Sequence, residues 1–252
     1  MKKLVLVASI LALGTVAASA ADLAPRYAKA PPPVIAPLYN WGGFYVGVNG
    51  GWGSSHNCWT NTAALGIPFA PLGEGCHNAS GGTVGGQVGY RWQAGNWVFG
   101  LEAQGNWADF SGSNQSLVFA GLTNRTRIDA FGLFTGQVGY AWNNALFYVK
   151  GGAAVTDNRY DGLATGTGLV LDRASDTRWG GSVGAGVEFA FAPSWSAGVE
   201  YNHLFMGTHN YAFTSIVPPV GLNTRNDDVR QDADMVNVRV NYHFGGPIVA
   251  RY

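Results

Sequence analysis

Val236-Asn237-Val238-Arg239-Val240-Asn241-Tyr242-His243-Phe244 alternates without a break. Val236, Val238, Val240, Tyr242 and Phe244 fall on one face; Asn237, Arg239, Asn241 and His243 fall on the other. A period of two means a β-strand with one apolar and one polar side. The run is about as long as a tilted strand needs to cross a bilayer. In lipid its backbone groups need partners on both edges. The stretch therefore predicts more segments of the same kind and a barrel that it closes by pairing with the first.

Seven earlier segments carry the pattern. Phe44, Val46, Val48 and Trp52 oppose Tyr45, Gly47, Asn49 and Gly51. Val84, Val88, Tyr90 and Trp92 oppose Gln87, Gly89 and Arg91, and Trp97, Phe99, Leu101, Ala103 and Trp107 oppose Glu102, Gln104 and Asn106. A fourth strand is apolar on both faces over residues 128–133, then sets Phe134, Val138, Tyr140 and Trp142 against Thr135, Gln137 and Gly139. Phe147, Val149 and Val155 oppose Tyr148 and Lys150. Trp179, Val183, Val187, Phe189 and Phe191 oppose Arg178, Ser182 and Glu188; Trp195, Ala197, Val199 and Tyr201 oppose Ser196, Glu200 and Asn202. Short turns at 94–96, 143–144 and 192–194 alternate with long connections at roughly 53–82, 108–127, 156–177 and 206–234. This predicts an all-β fold: an eight-stranded antiparallel up-and-down transmembrane β-barrel with short periplasmic turns and long extracellular loops. The outward aromatics form two girdles. Trp92, Trp97, Trp142, Trp195 and Phe244 belong to the short-turn side, and Trp52, Trp107, Trp179 and Phe205 to the other, as amphipathic rings at two lipid–water boundaries would.

Composition agrees. Charged residues are 12%, hydrophobic residues 47% and aromatics 13%, with 37 Gly. A soluble sandwich or lipocalin-like barrel needs a polar exterior, and the polar faces here hold few charges and many glycines. Lys2 and Lys3, the apolar run Leu4 to Val16 and the small residues Ala18-Ser19-Ala20 read as a secretory signal peptide over 1–20, cleaved between Ala20 and Ala21. Loss of Lys2 and Lys3 takes Lys+Arg from 15 to 13 against 15 Asp+Glu, so the mature chain is slightly acidic and no basic excess points to nucleic acid. Residues 21–40, with Pro25, Pro31, Pro32, Pro33 and Pro37, read as a periplasmic arm, and 41–252 as the barrel.

Trp41-Gly42-Gly43-Phe44-Tyr45-Val46-Gly47, Val149-Lys150-Gly151-Gly152-Ala153-Ala154, the stretch from Val183 to Phe191, Trp195 to Tyr201 and the closing strand resemble the RopB-type outer-membrane proteins of alphaproteobacteria, relatives of the OmpA transmembrane domain. The resemblance implies an abundant eight-stranded surface protein, credited in some members with porin activity or envelope integrity. In such a protein the terminal aromatic of assembly recognition is Phe244 or Tyr252.

Candidate site residues follow from the inward faces. Glu102, Glu188 and Glu200 face the lumen with Arg91, Lys150, Arg178 and Arg239, beside Gln87 and Gln137. An eight-stranded interior is just wide enough for side chains to fill, and unpaired buried charges are costly. The expectation is a salt-bridged plug; the alternative is a small porin-like diffusion channel lined by these charges. Cys58 and Cys76 share one connection of an exported chain and are expected to form a disulfide. A metal site built from their neighbours His56 and His77 is the sharper but weaker reading. His203 faces lipid, and no Ser stands at a neighbouring outward position, so a lipid-modifying enzyme is disfavoured. No P-loop, dinucleotide fingerprint or zinc-hydrolase motif occurs. The sequence thus predicts a non-enzymatic outer-membrane barrel without cofactor or metal. Its expected partners are outer-membrane lipid, lipopolysaccharide and the barrel-assembly machinery.

Overall fold

Period-two segments become strands that pair in sequence order until the last meets the first. In the computed structural model, which describes residues 39–244, these are β1 (Gly43–Ala64), β2 (Ile67–Ala94), β3 (Trp97–Gln115), β4 (Leu122–Trp142), β5 (Ala145–Ala164), β6 (Val170–Ala192), β7 (Trp195–Ser215) and β8 (Asn223–His243). All neighbours are antiparallel and the barrel is closed. β8 pairs with β1 from Tyr45↔His243 to Ala64↔Arg225. No helix among the described residues is long and apolar enough to cross a membrane.

The short turns fall where expected. Gly95 (φ 61°) and Asn143 (φ 53°) take left-handed backbone there, which glycine and asparagine tolerate. The long connections differ from the expectation of irregular loops. They continue the β-ladder, leaving tips of only 65–66, 116–121, 165–169 and 216–222. Ser54 to Asn61 pairs with both Leu72–Ser80 and Asp227–Asp234. Hydrophobic alternation cannot reveal these extensions, because polar side chains stand on both faces, as in Ser54-Ser55-His56-Asn57.

Two heights can be read from the outer face. Between the girdles it is apolar: Val48 is 65% exposed, Trp107 75% and Phe244 65%. Beyond Trp52, Trp107, Trp179 and Phe205 the non-buried positions become Ser54, His56, Asp109, Asp129, Asp157, Asp176, Asp232 and Asp234. The bilayer segment ends there, since charge is expensive on a lipid face. β1 continues for about ten further residues, on the order of 30 Å along the strand. The barrel is therefore a membrane cylinder carrying a tall extracellular extension.

Candidate functional site

The lumen is filled in layers. At the periplasmic mouth Trp41 is fully buried, its ring 4.7 Å from Tyr39 and 5.7 Å from His243. Tyr39, placed by the sequence in the Pro-rich arm, packs there with Val98, Ala141, Leu146 and Ala190. Above lies Arg91, whose Nη2 is 2.8 Å from Glu188 Oε2 and whose guanidinium sits 4.3 Å from the Tyr45 ring centroid. The other Glu188 oxygen accepts from Ser196 and from Asn241 Nδ2, the latter at 2.8 Å.

The next layer holds four charges. Lys150 Nζ lies 3.1 Å from Glu102 Oε1 and 2.6 Å from Glu200 Oε1. Arg239 straddles the same carboxylates, donating to Glu200 Oε2 at 2.5 Å and to Glu102 Oε2. Their side chains are all 1% exposed. Two carboxylates face one Lys and one Arg, so the layer is neutral. Buried ions need partners and saturated hydrogen bonding, and the Tyr45 and Tyr148 hydroxyls add bonds of 2.6 Å to Glu102 and Glu200. Gln87 donates to Asn241 Oδ1 at 2.7 Å and accepts from Asn49 at 2.6 Å; Gln137 donates to the Tyr45 hydroxyl at 3.1 Å.

An apolar belt covers this layer: Phe110, Ile128, Phe131, Leu133, Leu204, Met206 and Met235 pack together inside the barrel. It explains the inward apolar residues Ile128, Phe131 and Leu133 of β4; the outer face of that stretch is not apolar throughout, since Asp129 stands there above the bilayer segment. Gly53 is needed beneath Phe110, since a Cβ there would lie 2.4 Å from Phe110 Cζ. Higher still, Trp59, Tyr160, Tyr211, Phe213 and Val229 form a second cluster. At the top Arg225 meets Glu74 (3.0 Å), Asp172 (3.2 Å) and Asp227 (3.1 Å). Burial is the largest influence on Asp227 and pushes its carboxyl up to about 7; Arg225 opposes this and Glu74 adds to it.

The structure brings Gln87, Gln137, Glu102, Lys150, Glu200 and Arg239 into one layer and sets Arg91 with Glu188 below it. Arg178 departs from the expectation that each lumen charge pairs with an opposite one. It lies near the second apolar cluster, and no salt bridge involves it among the described residues. It donates instead to the backbone oxygens of Met206 (3.1 Å), Gly207 (2.5 Å) and Val229 (3.1 Å). Gln231 Oε1 adds a side-chain acceptor at 3.1 Å, and three carbonyls, two of them where the β6–β7 ladder is interrupted, complete the set that holds its charge. Trp92, Trp97, Trp142, Trp195 and Phe244 all face outward and are exposed. Cys58 and Cys76 are register partners on β1 and β2 and form a disulfide. His56 and His77 are not drawn together: His77 is buried inside the barrel, against Asn114 and Thr126, while His56 is exposed outside. His203 Nδ1 lies 2.7 Å from Asp234 Oδ1, and its register neighbours are Val183 and Asp234. Ala20 and Ala21 and the tail from 245 lie outside the described residues.

Tyr45 and Tyr148 belong to the charge layer through their hydroxyls. Their signal is a tyrosine on the inward parity inside Phe44-Tyr45-Val46 and Phe147-Tyr148-Val149. The Arg225 cluster had no such signal, because its residues lie in segments without apolar alternation.

A family model described as an outer membrane protein beta-barrel domain matches residues 8–244. The chain belongs to this outer-membrane β-barrel family. Among curated members it is similar to the 31 kDa outer-membrane immunogenic protein of Brucella melitensis, 30% identical over 82% of this chain and 89% of that protein. It is also similar to the 22 kDa outer membrane protein of Rhizobium leguminosarum, 31% identical over 72% of each. The alphaproteobacterial resemblance in the strand motifs is thus found in whole-chain comparison. The outer membrane protein OprG of Pseudomonas aeruginosa shares the fold, with a TM-score of 0.50, 12% identity, and coverage of 80% of this chain and 97% of OprG. The protein is an outer-membrane β-barrel.

Proposed function

We propose that this barrel is a closed, non-enzymatic structural component of the outer membrane, acting in envelope integrity. The observation that carries the reading is the stacking of a neutral charge layer under an apolar belt inside one lumen. Ions crossing such a barrel would have to break the Glu102–Lys150–Glu200–Arg239 network and then pass Phe110, Phe131, Leu133 and Met235 without hydration. The aromatic girdles fit outer-membrane lipid, and the charged outward positions above them face the lipopolysaccharide headgroup zone. Those lipids and the barrel-assembly machinery are its partners on this reading. His203 has Val183 and Asp234 as register partners and shares the Asp234 carboxylate with the Tyr201 hydroxyl, an arrangement that favours a polar interface cluster over a serine–histidine pair.

Planar-bilayer recording with refolded protein tests the proposal. Small or absent conductance is expected. A large, steady, porin-sized conductance from the monomer would replace the plug with a diffusion channel. Unchanged lipid A in a deletion strain is the corresponding expectation against a lipid-modifying role.

A further inference from the structure

The outward face of the β1–β2 ribbon, above the bilayer segment, carries a four-residue square. Register pairs His56 with Asn78 and Cys58 with Cys76. His56 Nε2 lies 3.4 Å from Cys58 Sγ, and the three potential ligand atoms of His56, Cys58 and Cys76 all lie within 4.8 Å of one another. On its other side, His56 Nδ1 is 2.8 Å from Asn78 Oδ1. An amide oxygen is only an acceptor, so this contact sets Nδ1 as the protonated nitrogen and turns the Nε2 lone pair toward the sulfurs. A ring anchored through one nitrogen with the other left free is how metal-ligating histidines are usually held. A disulfide staple needs no such histidine.

From this geometry we propose that reduction of the Cys58–Cys76 bridge converts this square into a zinc site, with Cys58 Sγ, Cys76 Sγ and His56 Nε2 as ligands. The distances are suited to it. With Zn–S near 2.3 Å and Zn–N near 2.0 Å, tetrahedral coordination separates ligand atoms by about 3.5–3.8 Å. The His56–Cys58 contact already has that length. The two sulfurs part once the bond breaks, which side-chain rotation at register-paired positions of β1 and β2 allows. The fourth position is open to water. Asp232, the register partner of His56 on β8, stands beside it on the same face. Arg230, the register partner of Cys58, lies 3.5 Å from Asp232, so the neighbouring β8 pair is close to neutral.

The chemistry balances. Two molecules of a small thiol, R–SH, give two electrons and two protons to the Cys58–Cys76 bond and leave as R–S–S–R. The two protein thiols then release their protons as Zn2+ takes both sulfurs. The reverse exchange closes the bridge: R–S–S–R takes two electrons from the two thiolates, picks up two protons and leaves as two R–SH, and Zn2+ is released, so the site is occupied only in the reduced protein. All of this lies outside the bilayer segment and is independent of whether the lumen conducts.

The test uses full-length barrel refolded in detergent, its fold checked by migration of unheated and boiled samples. One portion is reduced with a thiol and desalted without oxygen; the other is kept oxidised. Each is titrated with Zn2+ against a chromogenic chelator. Reduced wild type is expected to bind one Zn2+ per chain and the oxidised form none. Cys58→Ser should abolish binding, and His56→Ala should weaken it on the order of tenfold or more. Co2+ in place of Zn2+ should give the visible absorption of a tetrahedral sulfur-ligated ion, reduced in His56→Ala. Reduced wild type that binds no Zn2+ overturns the proposal. So does His56→Ala that binds as tightly as wild type, since the thiols alone would then account for the ion.

Discussion

Tyr45 and Tyr148 occupy equivalent places in the two halves of the barrel. Each lies over a glycine of the next strand, Gly89 and Gly186, its register partner. Each donates at 2.6 Å to a glutamate two strands on, Glu102 and Glu200. Those glutamates close identical spacings, Trp97-x-x-Gly100-x-Glu102 and Trp195-x-x-Gly198-x-Glu200. Each hydroxyl also accepts from the strand after that, from Gln137 at 3.1 Å and Arg239 at 3.2 Å. The halves differ in charge: Gly47 and Gln137 stand where the second half has Lys150 and Arg239. The second half therefore supplies both cations that neutralise a carboxylate pair drawn from both.

The glycines under the rings should tolerate no side chain. A Cβ at Gly186 would lie 2.5 Å from Tyr148 Cζ, and one at Gly89 2.4 Å from Tyr45 Cζ. Neither ring can retreat without losing its carboxylate. Gly186→Ala should destabilise the barrel by about 1–3 kcal/mol. Gly181→Ala, whose new methyl would meet nothing closer than 4.0 Å, should not. The temperature at which the compact band gives way to the unfolded one on gels is the readout.

Removing Arg239 should cost more. Arg239→Ala leaves Glu102 and Glu200 facing Lys150 alone, an uncompensated buried charge worth about 3–5 kcal/mol. Adding Glu102→Gln to Arg239→Ala restores neutrality and should recover part of that loss. A double-mutant cycle on the same unfolding midpoint checks it. Strict additivity would mean that the two residues do not share a network.

The membrane part of this architecture was legible in the sequence because lipid enforces a strict rule. Every outward residue between the girdles must be apolar, so the parity of Val236 to Phe244 assigns each side chain to lipid or lumen. The layer of Glu102, Lys150, Glu200 and Arg239 follows from counting residues up from Trp97, Phe147, Trp195 and Phe244. The partnering within it does not, because barrel stagger shifts relative heights. Beyond Trp52 the rule lapses: water is on the outside, both faces turn polar, and Ser54 to Asn61 reads like a loop. Arg178 shows a second limit. Its acceptors are main-chain oxygens and the neutral side chain of Gln231, so no residue of opposite charge marks its partner in the sequence.

The wall of the extension has a seam. β6 and β7 pair from Ala192↔Trp195 to Gly181↔Phe205, stop, and resume at Arg173↔Thr214. A polar cleft of about 580 Å³ lies in the gap, lined by residues including Arg173, Asp176, Asn210 and Tyr211. Arg178 bridges its lower end through Met206 O and Gly207 O. Amides of 174–177 and 208–213 that point into the gap should exchange with solvent faster than those of β1 at the same height. Arg178→Met should extend fast exchange down to Met206, since carbonyls left unpaired cost about 1–3 kcal/mol each. Uniform protection across 206–213 in the variant would show that the ladder closes without the arginine.

The top of the extension should loosen as pH rises. Asp227 is fully buried, with its carboxyl pushed up to about 7 chiefly by burial. The groups facing it are Arg225, which favours the anion, and Glu74 and Asp172, which oppose it. Asn61 donates to it at 2.6 Å. In an unfolded tip the same carboxyl would titrate near 4. Between those values the folded tip holds a proton that the unfolded one has lost, so stability from this group is full below about pH 4 and lost as pH rises through about 7. The difference is on the order of a few kcal/mol and belongs to the extension, because the ladders below do not depend on it. Trp59 reports on this layer, its ring centroid 5.5 Å from the Arg225 guanidinium carbon. Limited proteolysis at the 65–66 and 216–222 tips should accelerate between pH 5 and pH 8 in wild type. Asp227→Asn, which keeps the shape and cannot ionise, should remove the acceleration while leaving heat-resistant migration unchanged. Equal pH dependence in Asp227→Asn would assign the effect to another group.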